Sequence, residues 1–528
     1  VKMIHRRFEM VSSRFLRLYL VISVIMTMAL GCSDSSTESQ PPDQSSVLSS
    51  RIFVSVIPGG SEDITISAVN QDGTPDNITA SCEDPSVATV SCLDSVVTVT
   101  GVDYGVTDLA VTCGSGLTKT IPVQVYNHRV LDSGELTISV VDTFEYRWHD
   151  QGSGCTHDGS FYHPVTDDGF RALGSLGFSG YDNPQGDYAM TVVKADPGSD
   201  ALAEPEDYSL LWFYRRPIFP YGYDTLATFW IPTAPEGYRA MGLVAQNGPA
   251  KPPLSDVVCV REDLTTEGEA GSFIWNDDES SMPRDLGCWN IYPPETGPHS
   301  MTYLQTGTFV GWNHWNRPTT HPVMYVLKID LPMLSEAPYQ TYVPRLSSYD
   351  TPPEETVPMM AKSMLTPCTI VNDLQYVNNI GWRVANSPFY RLERYVYYKL
   401  LYHNHNQTSE IQTNSVTITS GVTTGESQTF WEETSVSITA EAGVSIECFS
   451  GHVSTTVSRT FGYSTQTSVE ELEQTEVSSS INTPPGKAAA LWQKYNRFVL
   501  KRHNGTDLEP VATWEFGIDS YTTDEWPD

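Results

Sequence analysis

The sequence predicts an all-β protein, and three observations carry that prediction. Its 528 residues are rich in Thr, Ser, Val, Tyr and Gly, a palette that fits half-buried pleated strands. Short runs alternate apolar and polar residues, as in Ile64-Thr65-Ile66-Ser67 and Val436-Ser437-Ile438-Thr439. The 37 glycines and 35 prolines punctuate those runs with turn signals. The length implies two to four domains. With 31 Lys and Arg against 64 Asp and Glu the net charge is −33, which repels nucleic acid and anionic lipid and suits an exported, soluble body.

Residues 1–31 read as a leader. Arg14 and Arg17 precede the apolar run Val21-Ile22-Ser23-Val24-Ile25-Met26-Thr27-Met28-Ala29-Leu30-Gly31, which ends at Cys32. The run is too short for a stable membrane span. With a cysteine at the cut, this segment resembles a bacterial lipoprotein signal, although Ala29 stands where that family usually has Leu. The resemblance implies that Cys32 receives a diacylglyceryl group and that lipid is a partner through this anchor. It places the protein on the cell envelope, and Ser33 after Cys32 favours the outer membrane or cell surface. An ordinary signal peptide with a nearby cysteine is the plainer alternative. Residues 32–49 contain a Ser-, Pro- and Gln-rich stretch that reads as a flexible tether.

Residues 50–127 carry short alternating strands between turns, the spacing of a small antiparallel sandwich. The stretch Asp84-Pro85-Ser86-Val87-Ala88-Thr89-Val90-Ser91, followed by Val97-Thr98-Val99-Thr100-Gly101-Val102, resembles group 2 bacterial Ig-like domains. The resemblance implies a stalk or adhesion module.

Residues 128–373 contain a repeat. Phe161-Tyr162-His163-Pro164 leads to Gly169-Phe170-Arg171-Ala172-Leu173-Gly174, and Phe229-Trp230-Ile231-Pro232 leads to Gly237-Tyr238-Arg239-Ala240-Met241-Gly242. Matching copies of strand, turn and strand indicate related β units, with a degenerate third unit expected around Gly311 to Asp330. Together with Tyr146-Arg147-Trp148-His149-Asp150-Gln151-Gly152-Ser153-Gly154, the repeats resemble the vacuolar protein sorting-associated protein 62 family, which has no assigned chemistry. The Gly-aromatic motif also resembles membrane-binding β-prism modules, so a β-prism-like domain is expected.

Residues 374–528 change texture. An aromatic and basic stretch, Trp382 to Tyr402, precedes a Ser/Thr-rich one, Thr408 to Thr483, in which Arg459 is the sole Lys or Arg. Within the span 435–465, Val436, Ile438, Ala440, Ala442, Val444 and Ile446 alternate with polar residues. A return run has Val453, Val457 and Phe461 on one parity, and Phe449-Ser450-Gly451-His452 lies between the two as a tip. Arms of this length suit a strand that spans a bilayer in a closed barrel. The pattern resembles aerolysin-like and epsilon-toxin-like β-pore-formers, which implies an elongated antiparallel domain, homo-oligomerisation on a target membrane and hairpin insertion. Any half-buried hairpin alternates in the same way.

Trp312, Trp315 and Arg317, within Trp312-Asn313-His314-Trp315-Asn316-Arg317, are candidates for binding a glycan or membrane surface. One buried Trp on a strand is the alternative. His149, His157, His163, Asp150 and Asp158 lack the spacing of a metal site, and His403-Asn404-His405-Asn406 reads as a solvated strand end. No P-loop, GxGxxG, GxSxG or HExxH occurs, so neither cofactor, metal nor enzymatic activity is expected. Eight cysteines besides Cys32 permit disulfides, with Cys82 to Cys92 or Cys113, and Cys259 to Cys288, as guesses. The leading reading is a surface-anchored lipoprotein with a toxin-like body that recognises a glycan or membrane and inserts a hairpin. The alternative is a non-catalytic adhesin or glycan-binding protein that forms no pore.

Overall fold

The computed structural model describes residues 46–527, apart from 52, 71–73, 126–129, 133, 168, 219–221, 295–301, 330–332, 336–342, 422–435, 440–442, 448–455, 460–474 and 510. Cys32 and the tether up to residue 45 therefore lie outside the described residues. The described chain is mostly β, with one α-helix, Ile380–Asn386, whose first turn is capped by Asn379 accepting from the Trp382 amide at 2.8 Å.

The first region is a sandwich of two four-stranded sheets. One orders Ser46–Ser49, Ser61–Val69, Val96–Gly101 and Ala88–Leu93; the other orders Val54–Val56, Thr118–Val125, Gly105–Cys113 and Ile78–Cys82. Alternation decides which residues meet: Ile64, Ile66, Val97 and Val99 of one sheet pack on Leu109, Val111, Ile121 and Val123 of the other.

The second region is built from three antiparallel three-stranded sheets. They are Phe144–His149 with Gly159–Pro164 and Leu176–Ser179; Asp207–Ile218 with Gly222–Thr233 and Val244–Asn247; and Glu269–Asn276 with Gly287–Tyr292 and Phe309–Trp312. All three bound one aromatic core containing Trp148, Phe161, Trp212, Phe229, Trp275, Trp289 and Phe309. Each first strand carries a bulge just before its tryptophan, between Tyr146 and Trp148, Leu210 and Trp212, and Phe273 and Trp275. The extra residue turns the tryptophan inward and leaves the residue before the bulge outside. Tyr146, Leu210 and Phe273 are accordingly 43%, 40% and 39% exposed, while Trp148, Trp212 and Trp275 are buried.

The geometry also explains the repeated motif. Its first glycine, Gly169 or Gly237, has φ +80° or +82°, a turn conformation closed to most side chains. Its last glycine sits where the units converge. There Ser175 N–H donates to the Leu243 carbonyl at 2.9 Å, and Leu243 N–H to the Phe309 carbonyl at 3.0 Å. A Cβ on Gly242 would lie 2.6 Å from Thr308 Cβ, and one on Gly174 would lie 2.9 Å from Thr308 Cγ2. The third unit is therefore the sheet from Glu269 to Trp312, and the expectation of one around Gly311 to Asp330 is corrected.

The third region is a five-stranded sheet ordered Met333–Ser335, Met359–Pro367, Phe389–His405, Ala488–Arg502 and Thr513–Trp526. It starts upstream of residue 374, where the texture of the sequence changes. Onto it folds a two-stranded ribbon, Gln412–Ser420 with Thr475–Thr483. Ile418 and Ile481 of the ribbon pack with Leu491, and the buried Gln493 side chain donates to the Thr419 carbonyl at 2.9 Å and the Ser420 hydroxyl at 3.0 Å. Asn406, expected in a solvated strand end, is fully buried because its amide donates to the Thr483 carbonyl at 2.8 Å and the Glu410 carbonyl at 2.7 Å.

The seven described cysteines are free thiols. Register explains why the guessed pairs do not form in the sandwich. Cys82 stands opposite Leu109 and Cys113 opposite Ile78, a displacement of roughly 13 Å along the strands, and a disulfide needs Cα atoms within about 7 Å. The Cys92 thiol rests 3.8 Å from the Ile78 carbonyl, at the far end of the same strand from Cys82. Cys259 and Cys288 share the aromatic core as buried thiols; burial pushes the Cys259 thiol up to about 12 and raises Cys288 well above the usual range.

Candidate functional site

The span 435–465 meets the structure in pieces. Val436–Thr439, Gly443–Glu447 and Thr456–Arg459 are strands; Ala440, Ala442, Phe449, Val453 and Phe461 lie outside the described residues. The outgoing arm is not one continuous strand, and that expectation is corrected. It reverses, so that Val436 stands opposite Ile446 and Ile438 opposite Val444. Gly443–Glu447 next pairs with Thr456–Arg459, setting Ile446 opposite Val457 and Val444 opposite Arg459. The three strands extend a sheet of the second region, following Thr265–Glu267, Tyr325–Ile329 and Thr302–Leu304, with Thr302 opposite Val457. The three strands, which fall in sequence between the two halves of the ribbon, thus lie at the edge of a sheet of the second region.

Sequence reasoning missed the junction between the sandwich and the third region. Met360 N–H donates to the Ser50 carbonyl at 2.9 Å and Arg391 to the Ser55 carbonyl at 2.8 Å. Around these bonds lies a buried ionic cluster. Arg51 pairs with Glu62 at 2.9 Å and Glu393 at 3.4 Å, Arg391 pairs with Glu62 and with Glu393, and Lys501 approaches Glu393 at 3.8 Å. Burial alone would push the Glu393 carboxyl up, but Arg51, Arg391 and Lys501 outweigh it and hold the group at about 2. The only available signal was Glu62, a charge on a core-parity position of an alternating strand.

Nearer the open end of that sheet, Lys399 and Arg497 converge on Glu515, with Arg497 at 2.8 Å. Burial would raise the Glu515 carboxyl, yet hydrogen bonds from Lys399, Tyr397 and Arg497 hold it at about 2.

The candidate surface residues divide. Trp312 ends its strand half-buried against the aromatic core, its indole donating to the Asn316 carbonyl at 2.5 Å. Trp315 is 42% exposed, with its indole N–H fixed on the buried Asp277 carboxylate at 2.8 Å. Asp277 also accepts from Trp212 at 2.9 Å and from the Leu286 amide at 2.8 Å, so it ties surface to core. Arg317 is exposed on the same loop.

The Asp277 turn has a twin at Asp150, which the sequence displays as Trp-x-Asp-x-x-Ser from Trp148 to Ser153 and again from Trp275 to Ser280. In each copy the carboxylate accepts a backbone amide across the turn, from Gly159 or Leu286, at 2.8 Å. The left-handed residues match too: Gly152 and Gly154 in one copy, Glu279 and Ser281 in the other.

Around the first turn, the Tyr146, His149 and Tyr181 rings form an outward row with successive centroids 5.5 Å apart, and the Tyr181 hydroxyl donates to Asp158 at 2.9 Å. His157 leans on Phe273 at 5.1 Å. His163 is buried between the Ser175 hydroxyl and the Asp256 carbonyl, each at 3.2 Å, and burial, aided by Arg147, pushes it down to about 4. Among the described residues no group of three His, Cys, Asp or Glu side chains is placed to hold a metal ion.

Residues 108–350 match the family model of vacuolar protein sorting-associated protein 62, and residues 360–522 match that of insecticidal crystal toxin P42. The first match begins inside Gly105–Cys113, a strand that belongs to the sandwich. No curated protein sequence matches the chain. Among solved structures, GNIP1Aa from Chromobacterium piscinae is 19% identical over 39% of this chain and 38% of its own, with a TM-score of 0.31. Cry35Ab1 is 13% identical over 75% of this chain and 91% of its own, with a TM-score of 0.30. Domains 4 and 5 of the S-layer protein SbsC are 25% identical over 16% of this chain and 51% of their own, with a TM-score of 0.15. The chain therefore spans 38% of GNIP1Aa and 51% of the SbsC fragment. What the family matches establish is a chain that joins a region of the vacuolar protein sorting-associated protein 62 type to a C-terminal region of the insecticidal crystal toxin P42 type.

Proposed function

We propose that the protein is a cell-surface lipoprotein, anchored through Cys32, whose toxin-like body recognises a glycan or membrane surface and then oligomerises to insert a β-hairpin. The observation that carries this reading is the position of the strands Val436–Thr439, Gly443–Glu447 and Thr456–Arg459. They fall in sequence between the two halves of a ribbon on the third region and pair at the edge of another region's sheet. Edge strands held by backbone pairing can be released without unfolding a core, and closing such hairpins into a barrel satisfies every backbone group in lipid. The match of the C-terminal region to a crystal-toxin family supports the same reading. Recognition falls to the outward face of the second region, through Trp315, Arg317 and the aromatic row at Tyr146, His149 and Tyr181.

The test is dye release from phosphatidylcholine–cholesterol vesicles and from vesicles of bacterial polar lipid by the full mature chain. Leakage accompanied by a membrane-bound oligomer is expected. Absence of both on every lipid would overturn the pore reading and leave the surface-binding one, which the anchor at Cys32 favours independently, because a lipid-anchored chain cannot diffuse to distant targets.

A further inference from the structure

We propose that the cleft between Leu176–Ser179 and Glu269–Asn276, in the second region, binds one neutral sugar ring of a surface glycan. This rests on the recognition half of the reading above and does not depend on pore formation. Each strand is the outer strand of its three-stranded sheet, and among the described residues no backbone hydrogen bond joins the two. The Ser179 hydroxyl spans the gap, donating to the Ile274 carbonyl at 2.5 Å. The two edges enclose a cavity of about 190 Å³ whose lining includes both residues. That is below the roughly 300–1,000 Å³ of a site for a drug-sized molecule, and suits a single small ring.

Two sides of the cavity are aromatic. Phe178 and Tyr188 line it as a stacked pair with centroids 4.6 Å apart, and Phe273 lines it from the other strand. The pairing shifts on either side of Phe273, between Ala270 and Phe273 and between Phe273 and Trp275. The strand therefore bulges twice and turns this ring outward, where it is 39% exposed. His157 at 5.1 Å and Trp289 at 6.0 Å brace it. Braced rings offer a flat apolar face to the carbon-bound hydrogens of a pyranose.

Beside Phe273 the lining carries a hydroxyl and an amide. Asn290 donates to the Ser272 hydroxyl at 2.7 Å, and that hydroxyl meets the Tyr292 hydroxyl at 2.8 Å. This chain fixes the Asn290 amide and leaves its carbonyl and second N–H without a partner among the described residues. An acceptor and a donor side by side match adjacent ring hydroxyls, each of which can donate and accept.

The lining also rejects other ligands. Among the described residues it holds no charged side chain, in a protein with 64 acidic residues, so it offers nothing to pair with a phosphate, sulfate or ammonium group. Burial, then Asp182 and Asp187, push the Tyr188 hydroxyl up to about 12, so it stays protonated, and the two carboxylates repel anionic sugars. A peptide strand cannot add here, because the Ser179 bond to Ile274 bridges the gap and Leu176–Ser179 is only four residues long. A lipid tail would leave Asn290 and Ser272 against hydrocarbon.

Saturation-transfer NMR of the full mature chain tests this. The probes are the methyl glycosides of glucose, galactose, mannose, fucose, N-acetylglucosamine and N-acetylgalactosamine, together with N-acetylneuraminic acid. At least one neutral glycoside should receive saturation, strongest at its carbon-bound ring hydrogens, and N-acetylneuraminic acid should not. Asn290→Leu and Phe273→Ala should each weaken that binding roughly tenfold or more. Both should keep the wild-type thermal midpoint, since neither side chain is buried in the core. Trp315→Ala should bind as wild type does. Binding that survives both cleft variants overturns the cleft, and its loss with Trp315→Ala returns recognition to that loop. Binding of N-acetylneuraminic acid alone overturns the neutral class. If no sugar binds, the cleft proposal fails, and flotation with phosphatidylcholine–cholesterol vesicles decides the reading beneath it. Vesicle binding keeps surface recognition standing, and its absence overturns both.

Discussion

The second region and the junction beneath the sandwich are both buried, and they are built from opposite materials. The three-sheet core is aromatic and nearly free of charge: Trp148 stacks on Phe161 at 6.0 Å and meets Trp275 edge-on at 5.5 Å. The junction packs Arg51, Glu62, Arg391, Glu393 and Lys501 together away from water. Aromatic rings bury large apolar areas and gain further from edge-to-face and offset contacts, so such a core adds stability outright. A buried ion cluster adds little net stability against an apolar equivalent, but it penalises any partner that leaves a charge unmatched. The second region therefore draws on its own apolar core, whereas the sandwich and the third region meet across buried charges that each require a partner.

The strongest way to break this contrast is Glu393→Ala. It leaves Arg51, Arg391 and Lys501 buried without their shared carboxylate, and should destabilise by about 3–5 kcal/mol in urea unfolding, with earlier protease cleavage between the sandwich and the third region. A loss under 1 kcal/mol would show that the junction opens to water. Trp275→Ala should cost about 3–4 kcal/mol by removing a ring at the centre of the three sheets, while leaving the junction protected from proteolysis. Simultaneous loss of both protections would mean that the regions are one cooperative unit.

Asp277→Asn should cost about 1–3 kcal/mol, because the amide can no longer accept every donor from Trp212, Trp315 and Leu286. Trp315 fluorescence should become more mobile, and an unchanged anisotropy would argue against the tie. The smallest effect is a pH dependence at His163. Its pKa falls from 6.5 to about 4 on folding, so the unfolded chain takes up the proton first. The contribution is complete above pH 6.5 and is lost as pH falls toward 4. His163→Gln should flatten that part of the stability profile, and an unaltered slope between pH 6.5 and 4.5 would assign it elsewhere.

Much of the fold was legible because it rests on local patterns. The sandwich follows from period-two alternation in Ser61–Val69 and Val96–Gly101. Two of the three units of the second region are written in the Gly-aromatic repeat, whose glycines are required by a turn and a close approach. The third unit was hidden because its likeness lies in the Trp-x-Asp-x-x-Ser turn, where Glu279 and Ser281 replace the tell-tale glycines. The alternation of Val436–Thr439 and Gly443–Glu447 was legible, but their pairing was not, since alternation is silent about which partner a strand finds. The ionic junction left only Glu62 on a core-parity position as a mark, because Glu62 and Glu393 are far apart in sequence and the sequence is crowded with acids.

The junction also changes what the sandwich does mechanically. Ser46–Ser49 is sheared against Ser61–Val69, and directly after it Arg51 bridges to Met360 in the third region. Tension entering the chain at Ser46 therefore reaches the sheet that carries the ribbon without travelling through the aromatic core. The sandwich and the third region are therefore joined side by side, by a backbone bridge next to the ion cluster, and a load on one is shared with the other.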